Sequence, residues 1–270
     1  FPLGIKHVVD EAHRLGFKVG VYTDQGVNGC HHPFTGSWPY YYQDAKDFAS
    51  WGIDYVKFDY CDPPDGFLPA NLTANMSNAL RSTGRSIWLN FHCNWLTFED
   101  ARCGLYGNSF RIAPDHIDAW YSTLKTSRAL MQRKKWWGAT GIPGLGYPDP
   151  DFVFTGGQGC GKHTINPPGV RCPGQTNEEY RSEFALNAIA SGQILFASDP
   201  RNMSTIQKEI LLNDEVLAIF KDQLGLDRVT QVVEQDHVLP SSNFCNVTLT
   251  KQLSHGSCTK GVDYGCYHSK

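Results

Sequence analysis

The stretch DYVKFDYCD, Asp54 to Asp62, places a lysine and an aspartate two residues apart in an otherwise apolar segment. Successive side chains of an extended chain point to opposite faces. Tyr55, Lys57 and Asp59 therefore share one face, and Val56 and Phe58 take the other. Burying two charges is costly unless they are paired, so packing alone does not account for them.

Working outward, helical and strand patterns alternate. Ile5, Val8, Val9, Ala12 and Leu15 recur at helical spacing and end at Gly16; KVGVYTD (18–24) follows as a strand. YQDAKDFASWG ends a helix at Gly52 before IDYVKFDY (53–60), and NMSNALRSTG ends another at Gly84 before SIWLNFHCNW (86–95). SFRIAPD (109–115) precedes the long helix 117–137, and a strand broken by glycine and proline lies within 139–152. The helix 178–192 leads to QILFASD (193–199), and Ser204 stands where it would cap a last helix. This βαβ rhythm implies a parallel sheet covered by helices, which fits an open doubly wound sheet or a barrel.

The polar residues at the strand ends choose between them. Asp24, Asp59, Asn94, Asp115 and Asp199, with Asp149 and Asp151, close nearly every strand. A barrel gathers all such ends at one mouth, whereas an open sheet gathers only those at its switch point. No GxGxxG fingerprint joins a strand to a helix. The expected fold is therefore a (β/α)8 TIM barrel. Six strands are counted, so the first two are expected upstream of Phe1, a start that suits a processed product or fragment. Residues 1–225 form the expected catalytic barrel portion. Residues 226–270, polar, β-leaning and cysteine-bearing, form the start of a separate appendage.

The 270 residues are 41% hydrophobic and 19% charged, with a formal net charge of −3. That balance leaves no basic footprint for nucleic acid, and no apolar run reaches membrane-span length. Nine cysteines and the sequons at Asn71, Asn75, Asn202 and Asn246 favour an oxidising compartment, hence a secreted, extracellular, lysosomal or vacuolar protein. Without a CxxC pair, a cysteine metal site is the weaker reading. His31-His32 lacks a carboxylate at ligand spacing and reads as loop surface. Trp136-Trp137 suits helix-end packing better than a sugar platform. GGQGCGKH opens no helix and is taken as a disulfide-closed loop.

Asp59 and Asp115 stand out, each preceded on its strand by a cation, Lys57 and Arg111. Two carboxyl groups across a sugar are what glycosidic cleavage requires, one as nucleophile and one as proton donor. Composition alone leaves structural ion pairs as an equal reading.

The segments FPLGIKHVVDEAHRLGFKVGVYTDQG and DAKDFASWGIDYVKFDYC resemble the α-galactosidases and α-N-acetylgalactosaminidases of glycoside hydrolase family 27. MSNALRSTGRSIW, GNSFRIAPDHIDAW, DPDF, EEYRSEFALNAIASGQILFASDPRNMS and LNDEVLAIFKDQLG continue the likeness, to about residue 225. The resemblance implies a retaining enzyme for terminal α-D-galactosides, with Asp59 as nucleophile and Asp115 as acid/base. It makes Tyr22, Cys30, Lys57, Arg111 and Asp151 sugar-contacting positions and implies no metal or organic cofactor.

Departures bear on specificity. Cys93-Asn94-Trp95 replaces the family's CEW or CSW, and Asn94 both donates and accepts where an ionised glutamate only accepts. Pro148 and Phe152 replace the usual Asn and Met of WNDPDM. An α-N-acetylgalactosaminidase, a β-L-arabinopyranosidase and a non-catalytic carbohydrate-binding derivative are the alternatives. Oligomeric state is not legible. The expected disulfides are Cys30–Cys61, just past the ends of consecutive parallel strands, Cys93–Cys103 and Cys160–Cys172.

Overall fold

The structure, a computed structural model, describes residues 1–30, 34–92, 106–139, 147–157, 159, 172–189 and 193–221, with helix side chains beyond Leu130 not described. Two compact units divide it. The first takes in Phe1–His116, Thr126–Phe152 and Ala190–Leu195, and the second Ile117–Lys125, Val153–Ile189 and the chain from Phe196 onward.

The first unit runs α1 (Gly4–Arg14), β1 (Gly20–Asp24), α2 (Tyr41–Trp51), β2 (Tyr55–Asp59), α3 (Pro69–Ser82), β3 (Trp88–His92) and β4 (Ser109–Arg111). Helix α4 (Trp120–Ala139), which belongs to this unit from Thr126 onward, and β5 (Tyr147–Asp149) follow. All four strand pairings are parallel, in the order β1-β2-β3-β4-β5. Helices give way to strands at Gly16, Gly52 and Gly84, each at positive φ, where a side chain would be strained. This is the strand–helix succession of a (β/α)8 barrel, and the described residues carry five of its strands.

The register aligns the side chains into two faces. Val21, Val56 and Leu89 pair across the strands, as do Thr23, Phe58, Phe91, Phe110 and Pro148. Val56, Phe58, Leu89 and Phe91 are buried with Val9 of α1, Tyr41, Ala45 and Phe48 of α2, and Leu72, Met76, Ala79 and Leu80 of α3. At about 25 cal/mol per Å² of apolar surface removed from water, this helix-covered face drives the unit's folding. The opposite face is polar. One row reads Tyr22, Lys57, Asn90, Ser109 and Tyr147; the next reads Asp24, Asp59, His92, Arg111 and Asp149.

Two expectations are corrected. QILFASD forms no sixth named strand among the described residues, and Phe196 makes only an isolated parallel bridge with Val153. Pro148 and Pro150 supply no N–H and Asp151 leaves the extended region at φ 78, so the segment after β5 offers little to a ladder. Asp115 does not end a strand, because β4 stops at Arg111.

In the second unit, α5 (Asn177–Ile189) buries Tyr180, Glu183 and Phe184. Ser204 caps α6 (Thr205–Leu211) in a capping box with Gln207, and α7 (Asp214–Lys221) follows, so the expected last helix is two. The expected appendage, 226–270, lies outside the described residues.

Candidate active site

Asp59, the last residue of β2, is held on every side. Its Oδ1 accepts from His92 Nδ1 at 2.8 Å and from the Tyr60 N–H at 2.9 Å, with Lys57 Nζ at 3.6 Å. Its Oδ2 accepts from the Tyr22 hydroxyl at 2.8 Å. Burial alone would raise this carboxyl. The His92 hydrogen bond, the Lys57 charge and the Tyr22 hydroxyl outweigh it and hold Asp59 well below the usual carboxylate range. Burial and the Asp59 charge in turn push the Tyr22 phenol far up, so it stays a donor. Lys57 Nζ is buried without a hydrogen-bond partner among the described residues, and burial lowers its pKa against the pull of Asp59.

The loops beyond β1 and β2 are locked together. Cys30 and Cys61 form a disulfide, as expected, and Tyr22 Oη lies 3.3 Å from Cys30 Sγ. Asp24 accepts from the N–H of Gly26 at 2.7 Å and of Cys61 at 3.0 Å, while burial pushes its carboxyl up to about 6. A Cβ on Gly26 would sit 2.1 Å from the Cys61 carbonyl oxygen, so only glycine allows this approach. Asp24, Cys30, Asp59 and Cys61 bring ligand-type atoms within 4.8 Å of one another. With the two sulfurs joined, that set is reduced to two carboxylates, a poor match for a thiolate metal site.

A second cluster surrounds Arg111 at the end of β4. Its Nη2 lies 2.9 Å from Asp151 Oδ2 and 3.1 Å from Asp115 Oδ1, and also donates to the Ala113 carbonyl at 3.1 Å. The strand ends at Arg111, and the chain beyond it brings Asp115, four residues on, into direct contact with the guanidinium. Asp115 is 83% exposed, whereas Asp59 is 17% exposed. Asp151 is buried and accepts from the His116 N–H at 2.8 Å. Burial pushes it up to about 6 against the pull of Arg111. Burial also lowers His116 to about 4, leaving it neutral to donate to the Phe152 carbonyl at 2.7 Å. Asn90 bonds Asp149 at 2.7 Å and Ser109 at 2.9 Å.

The structure thus brings Tyr22, Cys30, Lys57 and Asp59 together, and Arg111, Asp115 and Asp151 together. Asn94, Cys93, Cys103 and Cys160 lie outside the described residues. Cys172 is disulfide-bonded. Sequence reasoning missed His92 and Asn90, although the alternation that singled out Lys57 also places them on the polar face.

The family model described as Alpha galactosidase A matches residues 1–222. An α-galactosidase of Oryza sativa subsp. japonica is 37% identical over 227 residues, covering 84% of this chain and 49% of that protein. Alpha-galactosidase 2 of Arabidopsis thaliana is 36% identical over 227 residues, covering 84% and 52%. A solved structure from Bacteroides fragilis, assigned as an α-galactosidase/melibiase, superposes with a TM-score of 0.72 at 34% identity, covering 82% of this chain and 47% of that one. The chain spans about half the length of the curated relatives it matches.

Proposed function

The chain belongs to the α-galactosidase family, glycoside hydrolase family 27, and we propose that it carries the two catalytic aspartates of a retaining glycosidase for terminal α-D-galactosides. The observation that carries this reading is the contrast between Asp59, buried and held ionised, and Asp115, exposed on its Arg111 support. In the first step Asp59 attacks the anomeric carbon, and the bond to the leaving oxygen breaks as Asp115 gives that oxygen its proton. In the second, Asp115 takes a proton from water, the water oxygen bonds the anomeric carbon, and the ester's electron pair returns to Asp59. Lys57, with spare donors beside Asp59, is placed to bond sugar hydroxyls as well as to keep the nucleophile charged. Tyr22, Arg111, Asp151 and the Cys30–Cys61 bridge shape the rest of the sugar site.

Two carboxyl groups and a water suffice for this chemistry, so neither metal nor organic cofactor is called for. The bridge also supports a secreted, lysosomal or vacuolar setting. Among the described residues no helix is long and apolar enough to cross a membrane. The family match ending at residue 222 supports placing the end of the barrel portion near 225. In the full-length protein, Asp59→Asn is expected to lower turnover of an aryl α-galactoside by at least about 10³-fold, and NMR of early product to show retained configuration. An inverted product, or near-normal activity of the variant, overturns the mechanism.

A further inference from the structure

We infer that His92 is a positioning residue that fixes Asp59 Oδ1 as the non-attacking oxygen and makes the carboxylate a better leaving group when the glycosyl ester is hydrolysed. The inference rests on the glycosidase reading above and assigns a role to a residue outside the two aspartates and their cations.

The two oxygens of Asp59 are unequally engaged among the described residues. Oδ1 takes His92 Nδ1 at 2.8 Å, the Tyr60 N–H at 2.9 Å and the ammonium of Lys57 at 3.6 Å. Oδ2 takes one bond, from the Tyr22 hydroxyl at 2.8 Å. Tyr22 is 51% exposed, so its ring has room to yield to a sugar, whereas His92 lies on β3 in the row between Asp59 and Arg111. The His92 main chain is fixed from behind, its carbonyl accepting from Gln25 Nε2 at 3.2 Å. Oδ2 is therefore the atom free to bond the anomeric carbon. Because Asp59 is ionised, His92 Nδ1 must carry the hydrogen in this contact.

This bond acts differently on the two half-reactions. In the Michaelis complex Oδ1 shares a full negative charge, and His92 stabilises that ground state more than the partly neutralised transition state. When Oδ2 has become an ester oxygen the charge is gone and the bond is weak. As water attacks, the C–O bond to Oδ2 breaks, its electron pair returns to the carboxylate, and the bond from His92 strengthens with the charge. Removing the donor should slow release of the sugar while leaving its capture unharmed. A mere loss of structure slows both.

The test uses the full-length protein and an activated aryl α-galactoside such as the 2,4-dinitrophenyl glycoside, for which ester hydrolysis limits kcat. His92→Leu is expected to lower kcat about tenfold with kcat/KM unchanged or raised, and to accumulate a sugar-adduct mass on the intact protein. His92→Asn, whose Nδ2–H replaces Nδ1–H, is expected to recover kcat to within about threefold of wild type. Parallel losses in kcat and kcat/KM, no loss at all in His92→Leu, or no recovery in His92→Asn each overturn the role of His92 while wild-type turnover leaves the glycosidase reading intact. A wild-type protein inert on the glycoside removes that reading, and this inference with it.

Discussion

The two ends of β2 carry an aspartate each, and they are built in opposite ways. Asp54, just before the strand, is fully engaged. It accepts from His13 Nε2 at 2.7 Å, the Val19 N–H at 3.0 Å and Arg85 Nη2 at 2.9 Å, with Lys18 Nζ at 3.5 Å. Those donors belong to α1, the segment entering β1 and the turn before β3, so one carboxylate ties three connections. At the other end, Asp59 lies on a face where Lys57 Nζ, Asn90 Oδ1 and Arg111 Nε are buried without hydrogen-bond partners among the described residues. Orphaned buried polar atoms destabilise a fold and call for an explanation beyond packing. The first end is organised for stability and the second for a polar ligand, the division expected of a barrel's two faces.

The sharpest way to break this contrast is Lys57→Met in the full-length protein. It removes a charge from beside Asp59 and a donor from the proposed sugar site, so turnover should fall about 10²–10³-fold. It also removes a desolvated ammonium whose ion-pair partner among the described residues is Asp59 at 3.6 Å, so chemical denaturation should show little loss of stability or a gain. A loss above about 2 kcal/mol with turnover kept would make Lys57 a structural residue, and the two ends would then be alike.

How much of this was legible depends on how local each signal is. Alternation along Tyr55–Asp59 fixed the two faces, and Gly16, Gly52 and Gly84 marked helix ends because positive φ is a local demand. Cys30–Cys61 followed from strand order. Long-range bends were not legible. SFRIAPD looks extended as far as Asp115, yet β4 stops at Arg111 because that guanidinium gathers Ala113, Asp115 and Asp151 around itself. His92 was hidden because a lone histidine in a strand carries no motif, and only the register sets it beside Asp59. Asn90 was legible in principle, being polar in the middle of an apolar run and bonded to Asp149 across the sheet.

At the stabilising end, Asp54→Asn should cost about 1–2 kcal/mol at pH 7, after allowance for the exposed Lys18. Asp54 is held down to about 2, below its unfolded value: burial opposes the shift, and the Val19 N–H and His13 outweigh burial. Its contribution is therefore present above the unfolded value near ~4 and is lost as pH falls toward about 2. Wild type and variant should converge in urea titrations at the acid limit. An unchanged gap from pH 7 to pH 2.5 would mean that Asp54 acts through shape rather than charge. Turnover of the variant, corrected for folded fraction, should stay within about twofold of wild type, since the N-terminal end of the sheet is assigned no chemistry.

The smallest effect is expected at Glu183, a buried carboxyl in the second unit that serves as a control for both ends. It accepts from the Phe154 N–H at 3.1 Å and 3.2 Å and lies 3.4 Å from Thr155 Oγ1, and burial pushes it up to about 8. Asp24, the last residue of β1, is likewise raised by burial, to about 6. A raised folded pKa gives stability that is complete below the unfolded value and declines as pH rises through the folded one, the reverse of Asp54. Asp54 and Asp59 therefore weaken the fold at low pH, and Asp24 and Glu183 weaken it as pH rises from their unfolded values toward about 6 and about 8, where the loss is complete. The full-length protein should be most heat-stable in mild acid. Glu183→Gln keeps the size and removes the titration. At pH 5, where Glu183 already holds its proton, the substitution should shift stability by less than about 0.5 kcal/mol. At pH 9 the variant should melt higher than wild type by roughly 2–4 °C, the equivalent of about 1 kcal/mol. Melting curves at those two pH values decide the matter, because a glutamate ionised in both would give the same difference at each.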